Sequence, residues 1–128
     1  MKRLIASILT AVVVSLGAVT TSAETAPSSV IHVVTVGWKE GTTPEQIQAA
    51  LDGVKALPAA FPGITRVWVK SFKVQNPSGT EVKRTHAFVM EFKDAQALKD
   101  YADSDAQKKW YEVYVPIRGQ SSSYDITN

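Results

Sequence analysis

Two segments of this chain carry apolar side chains on both sides of a predicted strand. The first, Val30–Trp38, reads VIHVVTVGW and is dense in β-branched residues, which is typical of a strand. Side chains alternate along a strand, so even-numbered residues share one face and odd-numbered residues the other. The segment Thr85–Phe92 shows the same pattern. A sheet with one face in water is polar at every second position, so both faces of this predicted sheet need a cover.

The first helix is predicted to begin at Thr43-Pro44-Glu45-Gln46. Thr43 and Gln46 can exchange the two hydrogen bonds of a capping box, and Pro44 suits the first helical position. Apolar residues then recur at helical spacing and mark one buried face; they are Ile47, Ala50, Leu51, Val54 and Leu57. Gly53 weakens this helix, and Pro58 ends or bends it.

The rest of the chain predicts two strands around a hairpin loop, two short helices and a last strand. In chain order these are strands Thr65–Val74 and Thr85–Phe92, a helix Ala95–Tyr101 capped by Asp94, a helical segment opened by a Ser104–Gln107 capping box and stopped by Pro116, and a strand Ser122–Thr127. The order strand, helix, strand, strand, helices, strand predicts an α+β fold. It is the ferredoxin-like, split βαβ arrangement, an antiparallel sheet with helices on one face.

Helices on one side leave the other apolar face of the sheet uncovered. A second copy of the chain is the simplest cover, and two such sheets face to face close a dimeric α/β barrel. The sequence thus predicts a homodimer that pairs through the sheet face. The alternative is that the 24–29 tail or the stretch Arg118–Ser123 lies over this face, although both are too polar to bury much apolar area.

The N-terminal stretch has the layout of a secretory signal. Lys2 and Arg3 precede the apolar run Leu4–Val19, and Thr21-Ser22-Ala23 offers small residues at a cleavage site. We therefore divide the chain into a signal peptide at 1–23, a flexible tail at 24–29 and one domain at 30–128. The expected location is the periplasm or the exterior, with no membrane attachment after cleavage. An uncleaved N-terminal anchor is the alternative.

The charge balance of the mature chain argues against a nucleic-acid partner. Cleavage after Ala23 leaves 105 of the 128 residues and removes Lys2 and Arg3 but no acidic residue. The 14 basic and 12 acidic residues of the full chain thereby become 12 of each. A neutral domain has no field that attracts a polyanion. The chain has no cysteine, so its core must stabilise the fold without disulfides.

The order of several short motifs resembles the stress-responsive dimeric α/β-barrel (Dabb) family. The matching stretches are Ile31-His32-Val33-Val34, Thr43-Pro44-Glu45, the helix exit from Leu57-Pro58 to Pro62-Gly63-Ile64, Thr85-His86-Ala87-Phe88, Leu98 to Tyr101, and the closing pair Tyr124-Asp125. The resemblance spans the whole predicted domain and implies a ferredoxin-like homodimer. Most members have no assigned chemistry. Some plant members are polyketide cyclases that bind an acyl chain in an apolar cavity between sheet and helices.

One departure from the family bears on catalysis. The cyclases place a histidine after the helical tyrosine, and this chain has Gln107 there. An amide cannot take up and release a proton as an imidazole does. The remaining candidates for acid–base chemistry are His86 and Tyr101, with His32 in the same predicted pocket. The alternative is that both histidines are hydrogen-bonded core residues and that Tyr101 only packs.

The predicted ligand pocket lies between the sheet and the helices. Its residues are His32, Val34, Trp38, His86, Phe88, Tyr101 and Gln107. No cofactor is expected, and no metal, because the chain has two histidines and no cysteine, and Glu91 points to the opposite face.

Three functions follow from these patterns. The first is an exported homodimer that binds a small apolar molecule between sheet and helices, without assigned catalysis. The second is a polyketide-cyclase-like enzyme that uses His86 and Tyr101. The third is a structural protein with a filled core and no cavity.

Overall fold

The computed structural model describes residues 28–75 and 84–127. The predicted signal peptide, most of the predicted tail and most of the predicted hairpin loop lie outside them. In chain order the elements are β1 (Val30–Trp38), α1 (Pro44–Ala60), β2 (Ile64–Ser71), β3 (His86–Phe92), α2 (Ala95–Tyr101), α3 (Asp105–Tyr114) and β4 (Arg118–Ile126). The strands form one antiparallel sheet in the order β2-β3-β1-β4. The predicted α+β, ferredoxin-like fold is confirmed.

The start of α1 has the predicted capping box. The Gln46 amide donates to Thr43 Oγ1 at 3.3 Å, and the Thr43 amide donates to Gln46 Oε1 at 2.9 Å. The option that Pro58 ends α1 is wrong, because the helix continues to Ala60. Proline has a φ compatible with a helix and removes a single hydrogen bond near the end of α1, while Leu57 beside it is buried in the core.

Two strand boundaries differ by more than one residue from those predicted. β2 stops at Ser71 rather than Val74, and β4 begins at Arg118 rather than Ser122. The early part of β4 is polar, but it pairs with β1 as an edge strand, where polar residues are tolerated. Gly119 is required at this contact, since a Cβ there would lie 2.6 Å from the carbonyl oxygen of Gly37. Because Arg118–Ser123 forms part of the sheet, it does not cover the sheet's face, and this half of the alternative is wrong. The other half concerns a tail of which residues 24–27 lie outside the described residues.

The even-numbered residues of β1 and β3 share the face that the helices cover. The register pairs His32 with Met90, Val34 with Phe88 and Val36 with His86. Most of these side chains are buried against α1 and α3, as predicted. Gly53 lets the two helices approach, because a Cβ there would lie 2.7 Å from Trp110 Cδ1. The Trp110 indole then donates to the Ala50 carbonyl at 3.0 Å, which fixes α3 against α1.

The opposite side of the sheet, here the open face, carries no helix of the described chain. Its centre is a patch of half-buried apolar residues, and its edges expose larger ones. They are Ile31, Val33 and Val89 at the centre, with Trp68, Tyr124 and Ile126 exposed by 43%, 57% and 59%. None of the helices in the described part of the chain has the length and hydropathy needed to cross a bilayer.

Candidate functional site

A small cavity lies between the helix-covered face of the sheet and helices α2 and α3. Its volume is about 50 Å³. Apolar walls come from the sheet and from Trp110. The polar walls come from His32, Tyr101, Gln107, Tyr111, Tyr114, Arg118 and two serines of β4. We call this space the His32 cavity.

His32 is hydrogen-bonded to a carboxylate at the edge of the cavity. The β1–β4 register places Asp125 opposite His32, and Asp125 Oδ1 lies 2.6 Å from His32 Nδ1. Since a carboxylate only accepts, Nδ1 carries a proton, and in the neutral form of the ring Nε2 is left as an acceptor. Sequence reasoning found no acidic partner for either histidine. The sequence does contain this partner in the closing Tyr124-Asp125 pair. Only the register between β1 and β4, which are distant along the chain, shows that Asp125 faces His32.

Two buried tyrosine hydroxyls in the cavity wall lack a partner among the described residues. Tyr101 is 3% exposed and packs against the rings of Phe61 and Phe92. Neither its hydroxyl nor that of Tyr114 makes a hydrogen bond there. Burial raises the pKa of both hydroxyls. Ser121 and Arg118 lie near the Tyr114 hydroxyl and partly offset the rise in its pKa, but neither forms a hydrogen bond with it. Both groups therefore remain protonated and available as donors.

Gln107 is held by the connection between α2 and α3. The backbone N–H of Gln107 donates to Ser104 Oγ at 3.2 Å, the bond expected when Ser104 caps the start of α3. Its Oε1 accepts from the amide of Asp103 at 2.8 Å, rather than from Ser104 as the predicted capping box has it. Asp103 has a φ of 63°, and this left-handed turn brings its N–H toward Gln107. With the carbonyl of Gln107 occupied, the NH₂ group is its remaining polar contribution to the cavity.

Arg118 contributes a positive charge to the cavity wall. It is the first residue of β4 and is half-buried, with its guanidinium 5.6 Å from the centroid of the Tyr114 ring. Within residues 28–75 and 84–127, no carboxylate lies within ion-pair distance of it. Sequence reasoning missed Arg118, because it was assigned to a polar stretch outside the last strand.

Trp38 and His86 do not line the cavity, although Trp38 pairs with the cavity residue Arg118 and its ring lies 6.2 Å from that of Tyr114. The Trp38 indole donates to His86 Nδ1 at 3.0 Å, and the two ring centroids are 5.6 Å apart. Burial lowers the pKa of His86. Tyr101 instead packs on Phe92, six residues or about 20 Å along β3 from His86. The structure therefore does not bring His86 and Tyr101 together. Of the seven predicted pocket residues, it places His32, Val34, Phe88, Tyr101 and Gln107 at the cavity and leaves out Trp38 and His86.

A larger depression lies on the outside of the helices, between α1 and α3. Its volume is about 340 Å³, and four alanines line it together with Gly53, Leu57, Lys109, Trp110 and Val113. Of the described residues that line it, Lys109 alone is ionisable. We place the candidate site at the smaller cavity, because the groups able to donate, accept or transfer a proton converge there. Among the described residues, no three histidine or carboxylate side chains are grouped as metal ligands.

The sequence profile of the stress responsive A/B barrel domain, Dabb, matches residues 30–128. The chain belongs to the Dabb family. That match covers every element of the fold and all residues of the His32 cavity. No curated protein matches the sequence significantly.

Several solved structures are similar to this Dabb domain. A protein from Arabidopsis thaliana is 18% identical with a TM-score of 0.69, over 77% of this chain and 94% of that one. A hydroxynitrile lyase from Passiflora edulis is 15% identical with a TM-score of 0.67, over 80% and 95%. A dimeric ferredoxin-like protein of unknown function from Thermobifida fusca is 16% identical with a TM-score of 0.63, over 78% and 91%. The fold thus occurs in dimers, and some proteins that share it are enzymes.

Proposed function

We propose that this Dabb domain is an exported homodimer that binds a small molecule in the His32 cavity. The observation that carries the proposal is the His32–Asp125 hydrogen bond at a cavity that is also lined by Tyr101 and Tyr114, whose hydroxyls lack partners among the described residues. A buried hydroxyl without a hydrogen bond costs about 1–3 kcal/mol. An apolar side chain at Tyr101 or Tyr114 would avoid that cost. A bound ligand would supply the hydrogen-bond partner that these hydroxyls lack among the described residues.

The cavity favours a smaller and more polar ligand than the sequence predicted. A water molecule needs roughly 10–15 Å³ of such a cavity. A volume of about 50 Å³ therefore suits a molecule of about three to five non-hydrogen atoms. An acyl chain does not fit this space. The polar groups around His32 favour a ligand with an oxygen that accepts hydrogen bonds.

Protein-observed NMR with compounds of this size tests the binding proposal. We expect saturable shifts of the Tyr101 and Gln107 amides with small oxygen-bearing compounds. Tyr101→Phe should weaken the affinity about tenfold, since it removes one donor. Tyr124→Phe is the matched control on the open face and should leave the affinity unchanged. Saturable shifts confined to the groove between α1 and α3, or none at all, would contradict the proposal.

The homodimer is proposed to form through the open face. Val33 pairs with Val89 at its centre, and Trp68 and Tyr124 flank them. A second copy of the chain would bury these residues, and the description of similar structures as dimeric supports self-association of this fold.

Sedimentation at micromolar concentration tests the dimer. We expect Val89→Lys to give monomers or aggregates, because burying an unpaired charge costs several kcal/mol. Val113→Lys makes the same change on an exposed part of α3 and should leave the dimer intact. A stable wild-type monomer would disprove the dimer.

Export is proposed from the sequence of residues 1–23. Mass spectrometry of the protein from its native host should find a chain that starts at Glu24. A chain that retains Met1 in the membrane fraction would show that the segment is an uncleaved anchor.

A second candidate function is proton-transfer catalysis, and the Asp125–His32 pair favours it. Asp125 holds Nδ1, so Nε2 is the atom that could remove a proton from a ligand, with Tyr101 as a nearby donor. This pair replaces the predicted combination of His86 and Tyr101. Deuterium uptake by acetone in D₂O, followed by NMR, separates the candidates. Uptake that His32→Gln removes and His86→Gln retains would indicate an enzyme, and absence of uptake would favour a binding protein.

A further inference from the structure

The polar wall of the His32 cavity offers several hydrogen-bond donors, which are the tyrosine hydroxyls, the Gln107 NH₂ group and the Arg118 guanidinium. The two tyrosine hydroxyls lack acceptors among the described residues, and the Gln107 carbonyl is occupied by the Asp103 amide. Arg118 can only donate. A ligand that satisfies these groups must present several acceptor atoms in a small volume.

The charges around the cavity favour an anion. Arg118 lines it without an ion pair in the described part of the chain. Asp125, the nearest carboxylate of the site, is hydrogen-bonded to His32. Glu91 is bound to Arg66 on the opposite face of the sheet. Among the described residues, the lining therefore has one cation, Arg118, and no carboxylate.

The remaining walls are apolar and favour an anion with an apolar end. They come from Val34, Phe88, Met90 and Trp110. Inorganic phosphate is polar on every side and would leave these walls against oxygen atoms. A carboxylate has two coplanar oxygens, which match the fork of a guanidinium, and a carbon end that suits an apolar wall.

From these observations we propose that the His32 cavity binds a small carboxylate, with the carboxylate on Arg118 and the hydroxyl of the adjacent Tyr114 and the carbon end against β1 and β3. This inference rests on the proposed function, because it assigns the ligand class of the same site. Acetate, which has four non-hydrogen atoms, is close to the size that the cavity suits.

NMR titration of the full protein with acetate, acetamide and inorganic phosphate tests the inference. Acetamide has the shape of acetate without its charge. We expect acetate to shift the Tyr101 and Gln107 amides saturably and to bind at least tenfold more tightly than acetamide or phosphate. Arg118→Met should weaken acetate binding at least tenfold and leave acetamide binding unchanged, while Arg118→Lys should restore part of the loss. Lys73→Met removes an exposed positive charge elsewhere and should have no effect.

The outcomes separate this inference from the proposed function. If acetamide binds in the cavity as tightly as acetate, the carboxylate assignment fails and the binding function stands. Tighter binding of phosphate than of acetate overturns the assignment in the same way. If none of the probes shifts the cavity residues, both fail. Acetate shifts that map to the exposed lysines near β2 would also overturn it. Should Arg118→Met fail to fold, the wild-type comparison and Arg118→Lys still decide.

Discussion

The two histidines lie on the same face of the same sheet, yet their surroundings differ. His32 is bound to the half-exposed carboxylate of Asp125 and borders a cavity. His86 accepts from the Trp38 indole within aromatic packing, and burial lowers its pKa. At one end of the covered face, the His32 ring is hydrogen-bonded to a carboxylate and lines a small cavity. At the other end, the His86 ring packs against Trp38. The residue type and the alternation of the strand are the same, so the neighbours decide the role.

The largest expected difference between the two ends is in stability. Trp38→Ala should lower the free energy of unfolding by about 3 kcal/mol, the low end for a tryptophan, since Trp38 is only partly buried. His32→Ala should cost about 1 kcal/mol or less, because its bond is to a half-exposed partner. Urea denaturation measures both values. Equal losses would show that the His32 end is also a packing site.

A gain in stability is expected from removing a hydroxyl at the His32 end. Tyr101→Phe should raise the free energy of unfolding by about 1 kcal/mol, because it removes a buried donor that lacks a partner among the described residues. Tyr124→Phe changes an exposed hydroxyl and should have no effect. The same denaturation experiment applies. A loss of stability in Tyr101→Phe would mean that its hydroxyl is satisfied in the free protein.

The His86 end should make stability depend on pH. The folded pKa of His86 lies below its ordinary value of 6.5 because burial disfavours the charged ring. As the pH falls through 6.5, the unfolded chain takes up a proton that the folded chain does not, so the free energy of unfolding falls. The slope from this residue stays below about 1.4 kcal/mol per pH unit. The difference between wild type and His86→Gln isolates it. Identical pH profiles of the two proteins would contradict this account.

The smallest expected change in stability is that of Asp125→Asn, which should also change the NMR signals of the His32 ring nitrogens. Asp125→Asn should alter the free energy of unfolding by a few tenths of a kcal/mol, since the amide oxygen can still accept from Nδ1. Loss of the charge should nevertheless let the His32 proton redistribute between the ring nitrogens, which ¹⁵N NMR detects. Asp103→Asn is the control, because asparagine tolerates the left-handed φ there. An unchanged His32 tautomer in Asp125→Asn would show that Asp125 does not set it.

Local rules predicted the elements and faces well, and failed where distant strands meet. The capping residues of α1 and α2 and the alternation in β1 and β3 are short-range properties, and they are found as predicted. Gly53 reads from sequence as a weak point of a helix, whereas in the structure it makes room for Trp110. The start of β4 could not be predicted from its polar residues, because its pairing depends on the free edge of β1. Arg118 was not predicted as a site residue, because its position also depends on this pairing between β1 and β4.

The sequence by itself determined the α+β order and the two apolar faces of the sheet, because periodicity and capping act over a few residues. It also indicated His32, Tyr101 and Gln107 as neighbours of one pocket. Only the tertiary structure decided that Asp125 and Arg118 belong with them and that His86 does not. Asp125 and His32 are separated by 93 residues along the chain. Their contact depends on strand register, and a shift of one residue would turn Asp125 to the open face.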